Sequence, residues 1–277
     1  MILNIAALSS FFRTISTTNN FWTAILFRYS SRKKHITFRD KTTFYLKYSQ
    51  YWKVRDVYSA GYRIKQITND LFKVKKNDLV LLGSSDMLRS ICELSCGYYN
   101  WNCQGKIVLD IGGFQGVSAV HFSRMGAKKI VLYEPVKSHH KVIKRNMLLN
   151  HVNAELHEEG IGNKDGFETI HYESADVGFG ITSKGSHEMQ IKIRNIAKVI
   201  EDSQAEIAKF NCEGGEVSLL GLSLEILGKI DVYIIMAHNP KISKALINKF
   251  LRSNFSLIKQ NNDQSFLCFK KKKSNLQ

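Results

Sequence analysis

Three groups of residues in this 277-residue chain have the types and spacing to do chemistry. The first is Asp110 with Gly112, Gly113 and Gly116, inside the run Lys106 to Gly116. Ile107, Val108 and Leu109 make one buried strand, Asp110 ends it with a charge, and helical spacing begins at Val117. A strand that stops at an acid, turns on glycines and opens a helix is a nucleotide-binding turn. Glycine permits the tight turn and lets the main chain approach the ligand closely. The second group is Glu134, at the end of the apolar run Ile130 to Tyr133, where a carboxylate can accept both ribose hydroxyls. The third is Asn211, Glu213 and Glu216 after the run Ile207 to Phe210, with His238 just beyond Val232 to Met236.

The loop is not that of a dinucleotide enzyme, which needs Gly-x-Gly-x-x-Gly, because position 114 is Phe. Nor is it a P-loop, because Val117-Ser118 stands where Lys-Ser/Thr is required. Asp110 would repel a pyrophosphate and suits a ligand with an ammonium and a sulfonium.

Three blocks then resemble a class I S-adenosylmethionine-dependent methyltransferase, and more closely the FkbM family. They are Asp110 to Gly116, Tyr133-Glu134-Pro135, and Ala208 to Glu216, the last similar to the family's Lys-Ile-Asp-x-Glu-Gly-x-Glu block with Asn211 in place of Asp. The likeness covers about Asn100 to Lys270. It implies S-adenosyl-L-methionine as cofactor and O-methylation of a hydroxyl on a sugar, glycan or other small metabolite. Asp110, Gly112, Gly113, Gly116, Glu134 and Asn211 are the expected cofactor residues. Glu213, Glu216 and His238 are the expected catalytic ones, and no metal is expected. Glu213 is the first choice for base or substrate clamp. Alternatively, Glu213 and Glu216 stabilise the start of the next helix through its dipole. His238 has the titration range of a base; Asn211 cannot be one. Lys209 reads as packed or ion-paired.

The elements that position these residues alternate strand and helix from Lys106 onward, which calls for a parallel sheet covered on both faces. Helices are expected over Ser138 to Asn150, Val217 to Leu227 and Ile242 to Leu251, and a third strand over Ala154 to His157. Glu158 to Gly162 falls where an adenine-contacting loop belongs. Phe167 to Tyr172 and Met189 to Ile193 read as extra strands around a Gly/Ser-rich excursion, Gly178 to Ser186. A hairpin of Phe255 to Lys259 with Phe266 to Phe269 closes the sheet. The expected fold is therefore α/β, a Rossmann-like seven-stranded sheet with an N-terminal accessory region. The expected divisions are a basic arm (1–35), the accessory region (36–104), the methyltransferase domain (105–270) and a charged tail (271–277).

Net charge is +16 and uneven. Residues 1–105 hold 16 Lys/Arg against 6 Asp/Glu, whereas 106–269 hold 20 against 18. The surplus therefore lies away from the glycine loop, and an anionic partner for the N-terminal region is one reading of it. Tyr51 to Ile67 interleaves Tyr51, Trp52, Tyr58 and Tyr62 with Lys53, Arg55, Arg63 and Lys65. These rings and cations either bind a polyanion or form an apolar face with solvated charges. The apolar clusters Ile2 to Phe12 and Phe21 to Phe27 are each too short to span a bilayer. They read as a pair of helices on the body, a targeting segment or an interfacial helix. Five cysteines, an odd count without a Cys-x-x-Cys pair, suggest neither a disulfide scaffold nor a zinc site. They fit a reduced, cytoplasmic compartment, with peripheral membrane association open. Cys92 and Cys96, four apart, read as buried helix positions.

RNA methylation is the alternative function, and a non-catalytic cofactor-binding protein a third. Against base methylation, the Asp/Asn-Pro-Pro-aromatic block of N6-adenine enzymes is missing: Asn211-Cys-Glu-Gly has no proline, and Asn239-Pro240-Lys241 has one.

Overall fold

The computed structural model describes residues 5–172 and 187–272. The Gly178 to Ser186 excursion and all but the first residues of the charged tail lie outside the described residues. The chain divides into two compact units, Met1–Cys96 and Gly97–Gln277. The boundary falls earlier than 104/105, and the expected arm and accessory region belong to one unit.

In the first unit, α1 (Ile5–Thr17) and α2 (Phe21–Leu26) precede a 3-10 turn, Phe27–Tyr29. The hairpin β1 (Lys34–Thr37) and β2 (Thr43–Leu46) follows, then α3 (Tyr48–Ser59). A three-stranded antiparallel sheet, β3 (Arg63–Gln66), β4 (Phe72–Lys76) and β5 (Leu79–Gly83), leads into α4 (Ser85–Ser95). Ser84 caps α4 by accepting from the Asp86 N–H, as a serine before an apolar-faced helix should. The two first helices are tied to the hairpin by main-chain bonds, Asn19 N–H to Thr37 O and Arg39 N–H to Thr17 O. The cations of α3 are not solvated. Lys53 is buried against Asp86 and Arg55 is buried beside Asp56. Both spend their charge inside the unit, unlike either reading of this stretch, whereas Arg63 and Lys65 further along it are exposed. Cys96 is exposed and only Cys92 of the pair is partly buried.

The second unit runs β6 (Ile107–Ile111), α5 (Val117–Arg124), β7 (Lys129–Tyr133), α6 (Lys137–Leu149), β8 (Ala154–His157) and β9 (Gly160–Gly162). It continues with β10 (Gly166–Tyr172), β11 (His187–Asn195), α7 (Ile196–Ser203), β12 (Ile207–Phe210), α8 (Leu224–Leu227) and β13 (Val232–Met236). It ends with α9 (Pro240–Arg252), β14 (Phe255–Gln260) and β15 (Phe266–Lys271). Seven of these strands form one sheet in the order β14-β15-β13-β12-β6-β7-β8. Only β15 runs against its neighbours. This is the Rossmann-like α/β sheet, mostly parallel, that the alternation of elements predicted. Its central strands β6, β7, β12 and β13 are buried on both faces, which is why they read as unbroken apolar runs. The chain reverses direction across the sheet between β6 and β12, so the carboxyl ends of those two strands frame the crevice where open α/β sheets bind ligands. A small sheet of β10, β11 and β9 carries its own core of Val136, Ile170, Ile191 and Ile193.

One expected helix is broken. Val217 to Leu227 forms a 3-10 segment over Gly215–Gly221 and then the short α8. Leu222 is extended, and the Ser223 hydroxyl accepts from the Ile226 N–H to start a new helix. The glycines at 214, 215 and 221 and this internal cap outweigh the apolar periodicity.

Candidate functional site

The Asp110 to Gly116 loop is held from three sides. The N–H groups of Gly112 and Gly113 donate to Tyr133 O at 2.9 and 3.2 Å, tying the loop to the end of β7. Gly112 has φ +79°, and a Cβ built there would lie 2.0 Å from the Asn211 carbonyl oxygen. Glycine is required at 112 because the end of β12 occupies the space of a side chain. A Cβ at Gly113 would meet Leu132 at 2.5 Å. Phe114 takes the left-handed conformation too, φ +49°, uncommon for a bulky side chain. Its ring packs edge-on against His139 at 4.7 Å between centroids.

Asp110 is at the strand end, as expected, but its carboxylate is fully buried and faces inward. One oxygen accepts from the Ser118 hydroxyl at 2.6 Å, and the other lies 2.9 Å from Lys209 Nζ. Lys209 is itself buried and also donates to Gly112 O at 2.7 Å and Ile111 O at 3.3 Å. Lys209 thus donates to two main-chain carbonyls and sits in ion-pair contact with Asp110 Oδ1, which itself accepts no hydrogen bond; opposite charge beside it is what a buried ammonium needs. The pair arises from the strand register, which sets Lys209 opposite Asp110 in the parallel β12–β6 ladder. Lys209 is ion-paired as read. The partner it neutralises is the carboxylate expected to face a ligand's ammonium.

Glu134, nearly buried, bridges loop and strand. Oε2 accepts from the Phe114 N–H at 2.8 Å, and Oε1 accepts from the Val136 N–H at 3.0 Å and lies 3.2 Å from His139 Nδ1. Glu158 pairs with Lys144 and His140, and Glu159 with Lys192. The acids of the expected adenine loop are therefore engaged with side chains of the protein.

At the tip of β12, Asn211 Nδ2 donates to the Tyr99 hydroxyl at 3.3 Å. Glu213 and Gly214 are consecutive left-handed residues, φ +51° and +115°. The chain turns sharply there and leaves the Glu213 carboxylate half-exposed. Glu216 is 1% exposed and works inward: Oε2 accepts from the Gly214 N–H at 2.9 Å, and Oε1 accepts from the His238 N–H at 3.1 Å. His238 Nδ1 is 3.3 Å from Glu216 Oε1, and its Nε2 is 3.3 Å from Glu213 Oε1. The imidazole thus spans two carboxylates. Burial alone would lower its pKa, but hydrogen bonds to Glu213 and Glu216, reinforced by their charges, push it up to about 10. His238 is a cation at neutral pH, and the titration range expected of it as a base does not hold. Burial raises the Glu216 pKa, but hydrogen bonds from His238 outweigh it and hold the carboxyl below its ordinary value. Loss of water and the Glu216 charge keep the neighbouring Cys212 thiol protonated.

The structure therefore brings Glu213, Glu216 and His238 together at the ends of β12 and β13, and brings Gly112 against Asn211. It separates Asp110 from the surface. Sequence reading missed Ser118 and Tyr99. Ser118 lies eight positions after Asp110, on the first turn of the helix that the loop opens. Tyr99 sits in a stretch that reads as a linker and carries no signal.

No protein-family model matches the chain, and no curated protein matches it. Solved structures that overlap it include a candidate RNA methyltransferase of Pyrococcus horikoshii, at 15% identity and a TM-score of 0.45, covering 80% of this chain and 98% of that one. An rRNA methylase of Streptococcus thermophilus overlaps at 12% identity and a TM-score of 0.42, covering 65% and 95%. Likenesses of this depth do not decide what the chain acts on. The FkbM resemblance is carried by its three sequence blocks alone.

Proposed function

We propose that the chain is an S-adenosylmethionine-dependent methyltransferase that methylates a hydroxyl of a sugar, glycan or other small metabolite. The observation that carries this reading is the glycine loop at the sheet's reversal point, suspended between Glu134 and the Asp110–Lys209 pair. The residues fit such a cofactor at Gly112, Gly113 and Gly116, whose missing side chains let the loop pack closely on Asn211, Leu132 and Met147 and keep its turn tight. They fit at Glu134, whose carboxylate stands at the tip of the adjacent strand. Asp110 acts from beneath, by holding Lys209 against the Gly112 carbonyl. The cofactor supplies an activated methyl group, so the protein's task is alignment and proton removal. Glu213 is the exposed carboxylate that accepts the acceptor's proton and passes it to water. His238, as a cation, holds Glu213 in place, and Glu216 holds His238.

Calorimetry with S-adenosylmethionine tests the cofactor assignment: Glu134→Ala is expected to weaken binding about tenfold or more, and unchanged affinity removes the assignment. Glu213→Gln is expected to cut turnover more than cofactor affinity; full activity returns Glu213 to a role at the turn.

A second reading, an RNA acceptor, has one observation in its favour. In the β3–β4 ladder Arg63 lies opposite Lys75 and Lys65 opposite Lys73. Like charges directly opposite destabilise a sheet, yet none of these four has an acidic partner among the described residues. A phosphate backbone would neutralise such an array. Labelled S-adenosylmethionine incubated with cell extract, then fractionated into lipid, glycan and RNA, separates the two readings by where the label goes.

A further inference from the structure

Over Ser9 to Thr17, helix α1 is inside out. Its inward side is polar: Thr14 and Thr17 are buried. The buried Arg55 guanidinium donates to Ser10 Oγ at 2.8 Å, Thr14 Oγ1 at 3.1 Å and Ser10 O at 3.2 Å. The Tyr51 hydroxyl donates to Thr14 Oγ1 at 3.3 Å. Its outward side carries Phe11 and Phe12, 42% and 59% exposed. The next helix also turns large apolar side chains outward, although Phe27 directly after it is buried against Tyr48 and Tyr51. Ala24 is buried, while Trp22 and Leu26, one turn apart, are 66% and 64% exposed, and Tyr29 just beyond is 80% exposed. A helix that folds only against its own unit puts its large apolar side chains inward. Here hydroxyls and an arginine occupy that side, and five large apolar residues face out.

Charge selects the occupant. No acidic residue precedes Asp40, and Arg32 and Lys34, just after the helices, are exposed. A second copy of the chain would bring the same cations against these. A nucleic acid has rings to stack on Phe and Trp but nothing for Leu26. An anionic bilayer answers both features: apolar side chains enter the acyl boundary, Trp and Tyr sit at the headgroup level, and cations meet lipid phosphates. No helix among the described residues is long and apolar enough to cross a membrane, so the contact is one of lying on the surface. We propose that α1 and α2 dock the protein on an anionic membrane surface, with Phe11, Phe12, Trp22, Leu26 and Tyr29 inserted and Arg32 and Lys34 at the headgroups.

Flotation of the full chain with vesicles tests this directly, using phosphatidylcholine alone and phosphatidylcholine with about a third phosphatidylglycerol, within the range where surface charge draws basic segments. The protein is expected to float with the anionic vesicles. Phe12→Ser with Trp22→Ser should reduce recovery about tenfold or more, and Phe12→Leu with Trp22→Phe should retain it. Arg32→Glu with Lys34→Glu should weaken binding to anionic vesicles. Brominated lipid should quench part of the wild-type tryptophan emission, a measurement that depends on no variant's folding. Absence of flotation and quenching overturns the proposal, as does flotation indifferent to the Ser pair. A wild-type dimer that the Ser pair turns into monomers, without vesicle binding, assigns the face to a second copy. Retention of an RNA oligonucleotide that the Ser pair abolishes, again without vesicle binding, assigns it to nucleic acid. Either result also overturns the proposal.

Discussion

At the scale of single residues, the site rests on two buried charge arrangements. Asp110 and Lys209 neutralise each other with almost no access to water. Removing one partner leaves the other charge unpaired, so Asp110→Asn is expected to cost about 3–5 kcal/mol of stability, read by chemical denaturation. A double substitution to apolar residues of similar volume should recover much of that loss. Its cofactor affinity should stay low, because the Gly112 carbonyl has lost its donor. The second arrangement is the imidazolium between Glu213 and Glu216. Its folded pKa of about 10 lies above the ordinary 6.5 of histidine. A raised pKa means that the folded state binds the proton more tightly. The resulting stability is fully present below the unfolded value and is lost as pH rises through about 10. Thermal melts of wild type and His238→Gln should therefore differ at pH 7 and converge above pH 10. A difference that grows with alkaline pH would refute the protonated assignment.

At the scale of elements, the glycines at 112 and 214 serve different ends. Both have positive φ, but a Cβ at Gly112 meets the main chain of β12 at 2.0 Å, whereas nothing lies within 4 Å of one at Gly214. Gly214→Ala is expected to cost about 1–2 kcal/mol from backbone strain alone. Gly112→Ala adds a clash that only separation of the loop from β12 can relieve, for a total of about 3 kcal/mol or more. It should also abolish cofactor binding. Paired melts and calorimetry check both, and equal effects would contradict the close approach. The same proximity explains why Asn211 matters as main chain: its carbonyl stands over Gly112 and its N–H donates to Ile111 O at 3.1 Å.

At the scale of the whole molecule, the charge of the chain is concentrated in its first unit, and each unit has its own organisation. The sheet of β3, β4 and β5 presents Arg63, Lys65, Lys73 and Lys75 in cross-strand pairs. If these four neutralise phosphates of a single-stranded RNA, log affinity should fall with log salt at a slope of about −3. Replacing Lys73 and Lys75 by Gln should reduce that slope by about half. Fluorescence anisotropy across a salt series measures both, and a slope near zero would dismiss the RNA reading of this face.

The sheet and the position of the loop are written in local signals along the chain. Buried parallel strands are apolar runs, helices between them carry a 3.6-residue period, and turns that need positive φ show glycine; each signal is local. Ala154–His157 and the closing hairpin are legible for that reason. Partnerships were not legible. That Asp110 meets Lys209 depends on strand register between positions far apart in the chain. That His238 is a cation depends on two carboxylates converging on it in a space that excludes water. The reversed helix α1 eluded its composition too, because Arg55, brought by α3, decides which side of it turns inward. Local pattern specifies where a residue sits along an element; only the packed chain specifies what it faces, and charge, pKa and exposure follow from what is faced.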